Sequence, residues 1–416
     1  MSSTQSTRLV NSQAKFQATT IANFQFAPMP DLYFGWGIRQ QLLAELSTRY
    51  SGKVVLITGK TICAPGNFGE ILLTQLQSHT AQVKHFVVTS EPSPKLVDQL
   101  VKQCSIETQV VIGLGGGSVL DAAKAVAGLI PSQTSVMDYL EGAGLGKPFH
   151  VETCPFIAIP TTAGTGSETT KNAVLSNIGQ FKKSFRDNKL LAKQAWLDPE
   201  LLMSCSKEVL YATGMDAFTQ LLESYTTLKP NPITDALAWQ GMTLFKGAFE
   251  MIDSHDMDLQ QQGYGNLMLA ASLSGTTLAN AGLGAVHGLA GPIGAFFEAP
   301  HGIVCAKLLA PITQLNIEAL QAENTTTAQR TLAKYVLIAQ LFDSNLKEQQ
   351  ALPGLVKILN RLSQRYTPQG LAQYGLSEDN LAPILQNCRS GSMLGNPVVL
   401  EDAQLLKALK KALPNA

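Results

Sequence analysis

Short apolar, β-branched runs recur through the first half of the chain, at residues 54–58 (VVLIT), 84–89 (KHFVVT), 110–114 (VVIGL), 156–159 (FIAI) and 195–197 (AWL). Between them lie stretches with apolar residues at helical spacing, such as 67–78 and 95–104. Strands alternating with amphipathic helices predict a doubly wound α/β layer. After Asp198 and Pro199 the texture changes. From about Lys207 the β-type runs vanish and long helical patterns take over, including 234–252 and 266–281. Small residues crowd positions 272–295, which predicts tightly packed, largely buried helices. The pattern divides the chain into a flexible N-terminal segment (1–30), an α/β domain (31–200) and an all-helical domain (201–416). No heptad register, internal repeat or low-complexity linker interrupts it.

Composition narrows the function classes. Hydrophobic residues make up 45% and charged residues 15%, so the chain is globular rather than disordered. Lys plus Arg and Asp plus Glu number 31 each, leaving no net field to draw a polyanion, so no nucleic-acid partner is expected. The longest apolar runs are short and broken by Gly, Pro or polar residues, so no membrane span is expected either. The six cysteines (63, 104, 154, 205, 305 and 388) lie far apart, without CxxC or CxH spacing. They read as scattered reduced thiols of a cytoplasmic protein rather than a disulfide frame or a zinc ribbon. Residues 1–30 are rich in Ser, Thr and Gln and hold only Arg8 and Lys15 as basic residues, which reads as a plain terminus rather than a transit peptide.

Residues 110–124, VVIGLGGGSVLDAAK, carry the sharpest local signal in the first half. A buried strand runs into Gly113, Gly115, Gly116, Gly117 and Ser118, and a helix follows at once. Glycines let bare backbone N–H groups approach a ligand. The helix N-terminus adds partial positive charge, so a pyrophosphate can sit there without a basic side chain. A tight strand–helix turn with no ligand would look similar. A second polar turn after another strand, PTTAGTGS at 160–167, shifts the balance, because ligands of open α/β sheets gather at strand C-termini.

In the helical half, Asp216 and Gln220 lie four residues apart in GMDAFTQLLESY and share a helix face. His287 and His301 stand fourteen apart in an otherwise apolar segment, with Pro292 and Pro300 between them. They belong to different elements that can converge. One carboxylate, one amide oxygen and two imidazoles would make a four-ligand set for a divalent metal. Core histidines bonded to backbone would satisfy the same pattern. The other histidines (79, 85, 150 and 255) lie in polar or loop-like contexts.

Taken together, these residues resemble the iron-containing (group III) alcohol dehydrogenases. The likeness covers roughly residues 30–410 and rests on ordered motifs: FGWG at 34–37, GGGSVLDAAK at 115–124, PTTAGTGSE at 160–168, TGMDAF at 213–218 and the HG…PHG pair at 287–302. It implies a dinucleotide-binding α/β domain, a helical domain, and a cleft between them for NAD or NADP and a divalent metal, Fe or Zn. It implies that Gly115, Gly116, Gly117, Ser118 and Asp121 hold the cofactor, with Thr161, Thr162 and Thr165 on the opposite wall and Lys182 near the ribose. Gly59 stands where NAD-preferring relatives often carry an acid, with Lys60 beside it, so NADP(H) should be accepted. Asp216, His287 and His301 match three of the four family metal ligands and would form the catalytic centre.

Two positions depart from the family pattern. The fourth ligand is usually His and here is Gln220, a weaker donor for Fe²⁺ or Zn²⁺. A further family histidine is replaced by Gly291, which removes a proton relay and opens a slot for bulkier substrates. The resemblance implies hydride transfer between a small alcohol, its aldehyde or ketone, and the nicotinamide, in a homo-oligomer, a dimer by family likeness. Rival readings are a metal-independent reductase similar to maleylacetate reductases, a lyase or cyclase resembling dehydroquinate synthase, and a non-catalytic cofactor-binding protein. The second needs a basic pocket, whereas residues 280–300 carry no Lys or Arg.

Overall fold

The computed structural model describes residues 21–323 and 325–414. Six parallel strands, β1 (Asp31–Phe34), β2 (Lys53–Thr58), β3 (Gln82–Val87), β4 (Thr108–Gly115), β5 (Phe156–Pro160) and β8 (Gln194–Leu197), form one sheet in the order β1-β8-β5-β4-β2-β3. An antiparallel hairpin, β6 (Asn172–Asn177) with β7 (Phe181–Arg186), stands outside it. The sheet is covered on both faces. Val54, Leu56, Val110, Ile112 and Ile157 pack towards α1 (Arg39–Arg49) and α2 (Phe68–His79). Alternate residues Val55, Ile57, Val111, Phe156 and Ala158 pack towards α3 (Pro94–Gln103) and α4 (Gly117–Leu129). Burial on both faces is why these strands read as continuous apolar runs rather than alternating ones.

The α/β layer followed by helices matches the fold expected from sequence, but three strands carried no apolar run. The DLYF strand β1 is an edge strand beside β8, so the VVLIT strand is second in chain order. The hairpin strands NAVLSN and FKKSFR are largely polar and cover α4 instead of joining the sheet.

Among the described residues, ten α-helices follow the sheet: α5 (Lys207–Thr226), α6 (Pro232–Phe245), α7 (Ala248–Ile252), α8 (Met257–Ala281), α9 (Ala285–Phe296), α10 (His301–Glu323), α11 (Thr326–Phe342), α12 (Glu348–Tyr366), α13 (Ala382–Asn387) and α14 (Asp402–Ala412). Ser206 starts α5 by accepting from the Val209 N–H, and Asp256 caps α8 in the same way. The helix expected over 234–252 is two helices, because Gly247 takes φ +78° and breaks the register between α6 and α7. Helix α10 is long and apolar enough to cross a membrane, yet 72% of its most apolar window is buried inside the fold, where it is a core helix. Of the N-terminal segment, residues 1–20, with Arg8 and Lys15, lie outside the described residues; residues 21–30 have no regular structure, and the Ala27 N–H donates to Asn280 on α8.

The α/β and helical halves meet through backbone. A Cβ built on Gly166, whose φ is +59°, would lie 2.5 Å from Ala271 O and Gly275 N on α8. One on Gly275 would overlap Gly166 O. Thr169 Oγ1 adds a hydrogen bond to Ser272 O at 2.8 Å. Glycine at 166 and 275 lets the second polar turn lie directly on α8. Within the helical half, a Cβ on Gly302 of α10 would overlap Ala212 O of α5.

Candidate active site

Adjacent strands β2, β4 and β5 end side by side, which brings Gly59, the 115–118 turn and the 161–166 turn to one edge of the sheet. The Thr161 N–H donates to Gly115 O at 3.0 Å. Gly116 is the N-cap of α4 and contributes no side chain to the cap, so the first-turn N–H groups of α4 are free of a side-chain acceptor from that residue. The three glycines differ in what surrounds them. A Cβ on Gly115 would meet Val119 at 2.6 Å, and one on Gly117 would meet Thr165 Oγ1 at 2.7 Å. One on Gly116 would meet only Thr162, at 3.2 Å. Gly115 and Gly117 are therefore required by the protein's own packing, whereas Gly116 lies beside a rotatable threonine. At Gly59 a Cβ would find Val119 at 3.8 Å and nothing nearer.

Two residues that the resemblance assigns to the cofactor have protein partners. Asp121 is buried; Oδ1 accepts from Ser167 Oγ at 2.5 Å and Oδ2 from the Val174 N–H at 3.0 Å. These bonds make Asp121 a brace for the second turn and the hairpin. Beside it, the fully buried Lys124 donates to Ser167 O (2.7 Å), Thr170 Oγ1 (2.9 Å) and Asn172 O (2.7 Å). Burial pushes the Lys124 amine down to about 8, with Asp121 pulling the other way. Lys182, on β7, pairs with Glu91 and lies against Gly294 of α9, so it faces the helical wall of the cleft.

On that wall, α5 carries Asp216, α9 carries His287 near its N-terminus, and α10 begins at His301. His287 Nε2 lies 3.1 Å from Asp216 Oδ1, and His301 Nε2 lies 3.7 Å from the same oxygen. Glu223, one helical turn beyond Gln220, fixes the arrangement. It accepts from the Val286 N–H at 2.7 Å and contacts His287 Nδ1 at 2.7 Å, so it holds both the start of α9 and the imidazole. With Nδ1–H given to Glu223, the Nε2 lone pair of a neutral His287 faces a carboxylate oxygen. Two acceptors in that position attract only through a proton or a cation between them.

Electrostatics agree with an ionised centre. Burial would raise the Asp216 carboxyl, but His301, His287 and a Gln220 hydrogen bond outweigh it and hold it down at about 2. Burial would likewise lower His287, yet Cys305, Asp216 and Glu223 raise it well above the ordinary range. His301 is pushed down to about 4, first by burial, with Lys182 and His287 adding to it. Its Nδ1 is buried without a hydrogen-bond partner.

Gln220 shares the face of Asp216 and hydrogen-bonds to it, and its Oε1 lies 2.9 Å from Ser274 Oγ, which also lies 2.7 Å from Ala271 O. Cys305 lies beside the same centre: its Sγ lies 3.7 Å from Nε2 of both histidines. The ligand atoms of Asp216, His287, His301 and Cys305 all lie within 4.8 Å of one another, a donor set that fits one divalent cation. Sequence reasoning passed over Glu223 and Cys305, although each had a signal. Glu223 continues the 216–220 stripe at helical spacing, and Cys305 stands four after His301 on the same helix. A Cβ at Gly291 meets nothing within 4 Å, so the slot left by the family histidine is open.

A doubly wound sheet with glycine turns at its strand ends, facing a helical wall that gathers a carboxylate and two imidazoles, defines an oxidoreductase of the alcohol dehydrogenase type. Comparison makes this specific. Residues 30–199 match the family model described as iron-containing alcohol dehydrogenase, and residues 210–413 match the C-terminal model of the same family. The chain belongs to the iron-containing alcohol dehydrogenase family and is an alcohol oxidoreductase. It is 27% identical to alcohol dehydrogenase 4 of Saccharomyces cerevisiae, over 95% of this chain and 99% of that one. It is 30% identical to lactaldehyde reductase of Escherichia coli, over 85% and 90%. A crystal structure of 1,3-propanediol oxidoreductase superposes with a TM-score of 0.79 at 26% identity, covering 94% of this chain and all of that one. These relatives do not favour the metal-independent reductase or the non-catalytic binding protein.

Proposed function

We propose that the chain uses NAD(H) or NADP(H) to interconvert a small alcohol and its aldehyde or ketone, with the pyrophosphate on the β4–α4 turn and a divalent metal held by Asp216, His287 and His301. The observation that carries the reading is the pairing of His287 Nε2 with Asp216 Oδ1 at 3.1 Å while Glu223 holds Nδ1. A bound divalent metal would supply Lewis-acid polarisation of the substrate oxygen. Glu223 keeps His287 in the tautomer that presents Nε2. Gly116 and Ser118 offer backbone N–H groups and a hydroxyl at the positive end of α4, and Thr161, Thr162 and Thr165 form the facing wall. Ser274 joins the two walls, since its Oγ contacts Gln220 Oε1 at 2.9 Å and Gly164 O at 3.4 Å. With glycine at 291, no side chain at that position can relay a proton, and His301 Nδ1 lies buried without a hydrogen-bond partner.

Gly59 and Lys60 support acceptance of the 2′-phosphate, and so of NADP(H). Six free cysteines support a reducing, cytoplasmic setting, and dimerisation is carried over from the family for sedimentation to check. The direct test follows NAD(P)H absorbance at 340 nm with short-chain alcohols and aldehydes. Chelator-treated protein is assayed before and after each of Fe²⁺, Zn²⁺ and Mn²⁺ is added back. Activity restored by metal and dependent on either nicotinamide cofactor is expected; full activity in protein shown to be metal-free would move the chain to the metal-independent reductase reading.

A further inference from the structure

The metal reading above leaves the fourth donor open, and the geometry of α10 fills it. Cys305 follows His301 by four residues, so both side chains project from one helix face towards Asp216. Its Sγ is equidistant, at 3.7 Å, from His287 Nε2 and His301 Nε2. A tetrahedral site with metal–nitrogen or metal–oxygen bonds of about 2.0–2.1 Å and a metal–sulfur bond of about 2.3 Å has ligand–ligand edges of about 3.3–3.6 Å. Four of the six edges are 3.1 Å for His287 Nε2 to Asp216 Oδ1, 3.7 Å for His301 Nε2 to Asp216 Oδ1 and 3.7 Å for both sulfur–nitrogen pairs, and all four donor atoms lie within 4.8 Å of one another. Cys305 is fully buried in the helical core and forms no disulfide, so nothing competes for its sulfur. Gln220, the residue that stands in the usual fourth-ligand position, has polar neighbours in Ser274, whose Oγ lies 2.9 Å from its Oε1, and in Asp216.

We propose that Cys305 Sγ is the fourth protein donor to the metal, so that the site is one carboxylate, two imidazoles and one thiolate, with Gln220 in the outer shell. On binding, the thiol S–H gives its proton to bulk water and the sulfur lone pair forms the metal–sulfur bond, with no change of oxidation state. A thiolate softens the donor set and moves its preference from Fe²⁺ towards Zn²⁺. The inference rests on the chain binding a metal there at all, so the experiment separates the two claims.

Metal-depleted full-length protein is titrated with Co²⁺ and, separately, with Zn²⁺. Bound metal per chain is counted by elemental analysis, the Co²⁺ form is read by absorption spectroscopy, and the Zn²⁺ form by X-ray absorption. One metal per chain, a sulfur-to-cobalt charge-transfer band in the near ultraviolet and one sulfur at about 2.3 Å from zinc are expected. Cys305→Ser should lose the band and release Zn²⁺ at least about tenfold more readily, about 1.4 kcal/mol. Gln220→Leu should keep the band. One metal per chain with only nitrogen and oxygen neighbours would overturn the thiolate and leave the metal reading standing. No bound metal would overturn both. Should Cys305→Ser fail to fold, the X-ray absorption spectrum of the wild type decides alone.

Discussion

The two walls of the cleft put opposite demands on their sequence. The α/β wall presents backbone: its turns are defined by side chains that are missing, and Gly115 and Gly117 are missing theirs because Val119 and Thr165 occupy the space. The helical wall presents side chains: Asp216, Glu223, His287, His301 and Cys305 come from three helices and meet only in the folded chain. A motif that looks like a ligand cradle is therefore partly packing, while residues that pass for scattered core positions converge on the proposed metal centre. Function on the first wall depends on what the backbone exposes, and on the second on which atoms converge.

The largest separation between the walls should come from His287→Ala. Removing the imidazole held between Glu223 and Asp216 leaves two buried carboxylates facing an empty space, and it takes one donor from the metal set. Activity should fall by at least about a thousandfold, about 4.1 kcal/mol, with metal content dropping in the same preparation. Retained metal and turnover in that variant would move the chemistry to the other wall.

On the α/β wall the largest effect should be on stability rather than on rate. Lys124→Met deletes a fully buried ammonium and strands the Ser167, Thr170 and Asn172 oxygens it satisfies. Breaking a buried ionic group of this kind costs about 3–5 kcal/mol. Urea denaturation should register that loss, with cofactor affinity of the surviving folded fraction close to wild type; a midpoint shift under about 1 kcal/mol would show that the amine is expendable.

A smaller effect sorts the glycines. Gly116→Val pushes a branched side chain against a threonine that can rotate, so the fold should persist while NAD(P)H affinity falls at least about tenfold, about 1.4 kcal/mol. Gly117→Val meets Thr165 at 2.7 Å and should destabilise the fold before cofactor binding can be compared. Equal cofactor affinity in wild type and Gly116→Val, by fluorescence titration, would remove this turn from the site. The mildest change is Gly59→Asp, which fits in open space and should shift the ratio of kcat/KM with NADPH to that with NADH severalfold towards NADH, about 1 kcal/mol. A wild type that uses NADH alone would end the argument from Gly59.

The same contrast explains what could be read before folding. The buried strands β2, β4, β5 and β8 announced themselves because burial on both faces demands unbroken apolar runs. Strand β1 did not, being only four residues long and largely exposed, nor did the β6–β7 hairpin, which mixes polar with apolar positions and buries Ala173, Leu175 and Phe185. Asp216, His287 and His301 were recognisable from motif order. The contact between Gln220 and Ser274 was not, because Ser274 lies on a different helix. Asp121 shows the limit from the other side: its bonds to Ser167 and the Val174 N–H come from a later segment and carry no signal beside the glycine turn.

The backbone contacts at Gly166, Gly275 and Gly302 also bear on how this scaffold can be altered. A saturation library at those three positions should return almost nothing but glycine among folded clones, because even a methyl group meets main chain that has nowhere to move. Position 291 is the reverse, a helical site with no atom within 4 Å of its missing Cβ. Any attempt to retune the enzyme towards new alcohols therefore has one inexpensive dial and three bolts.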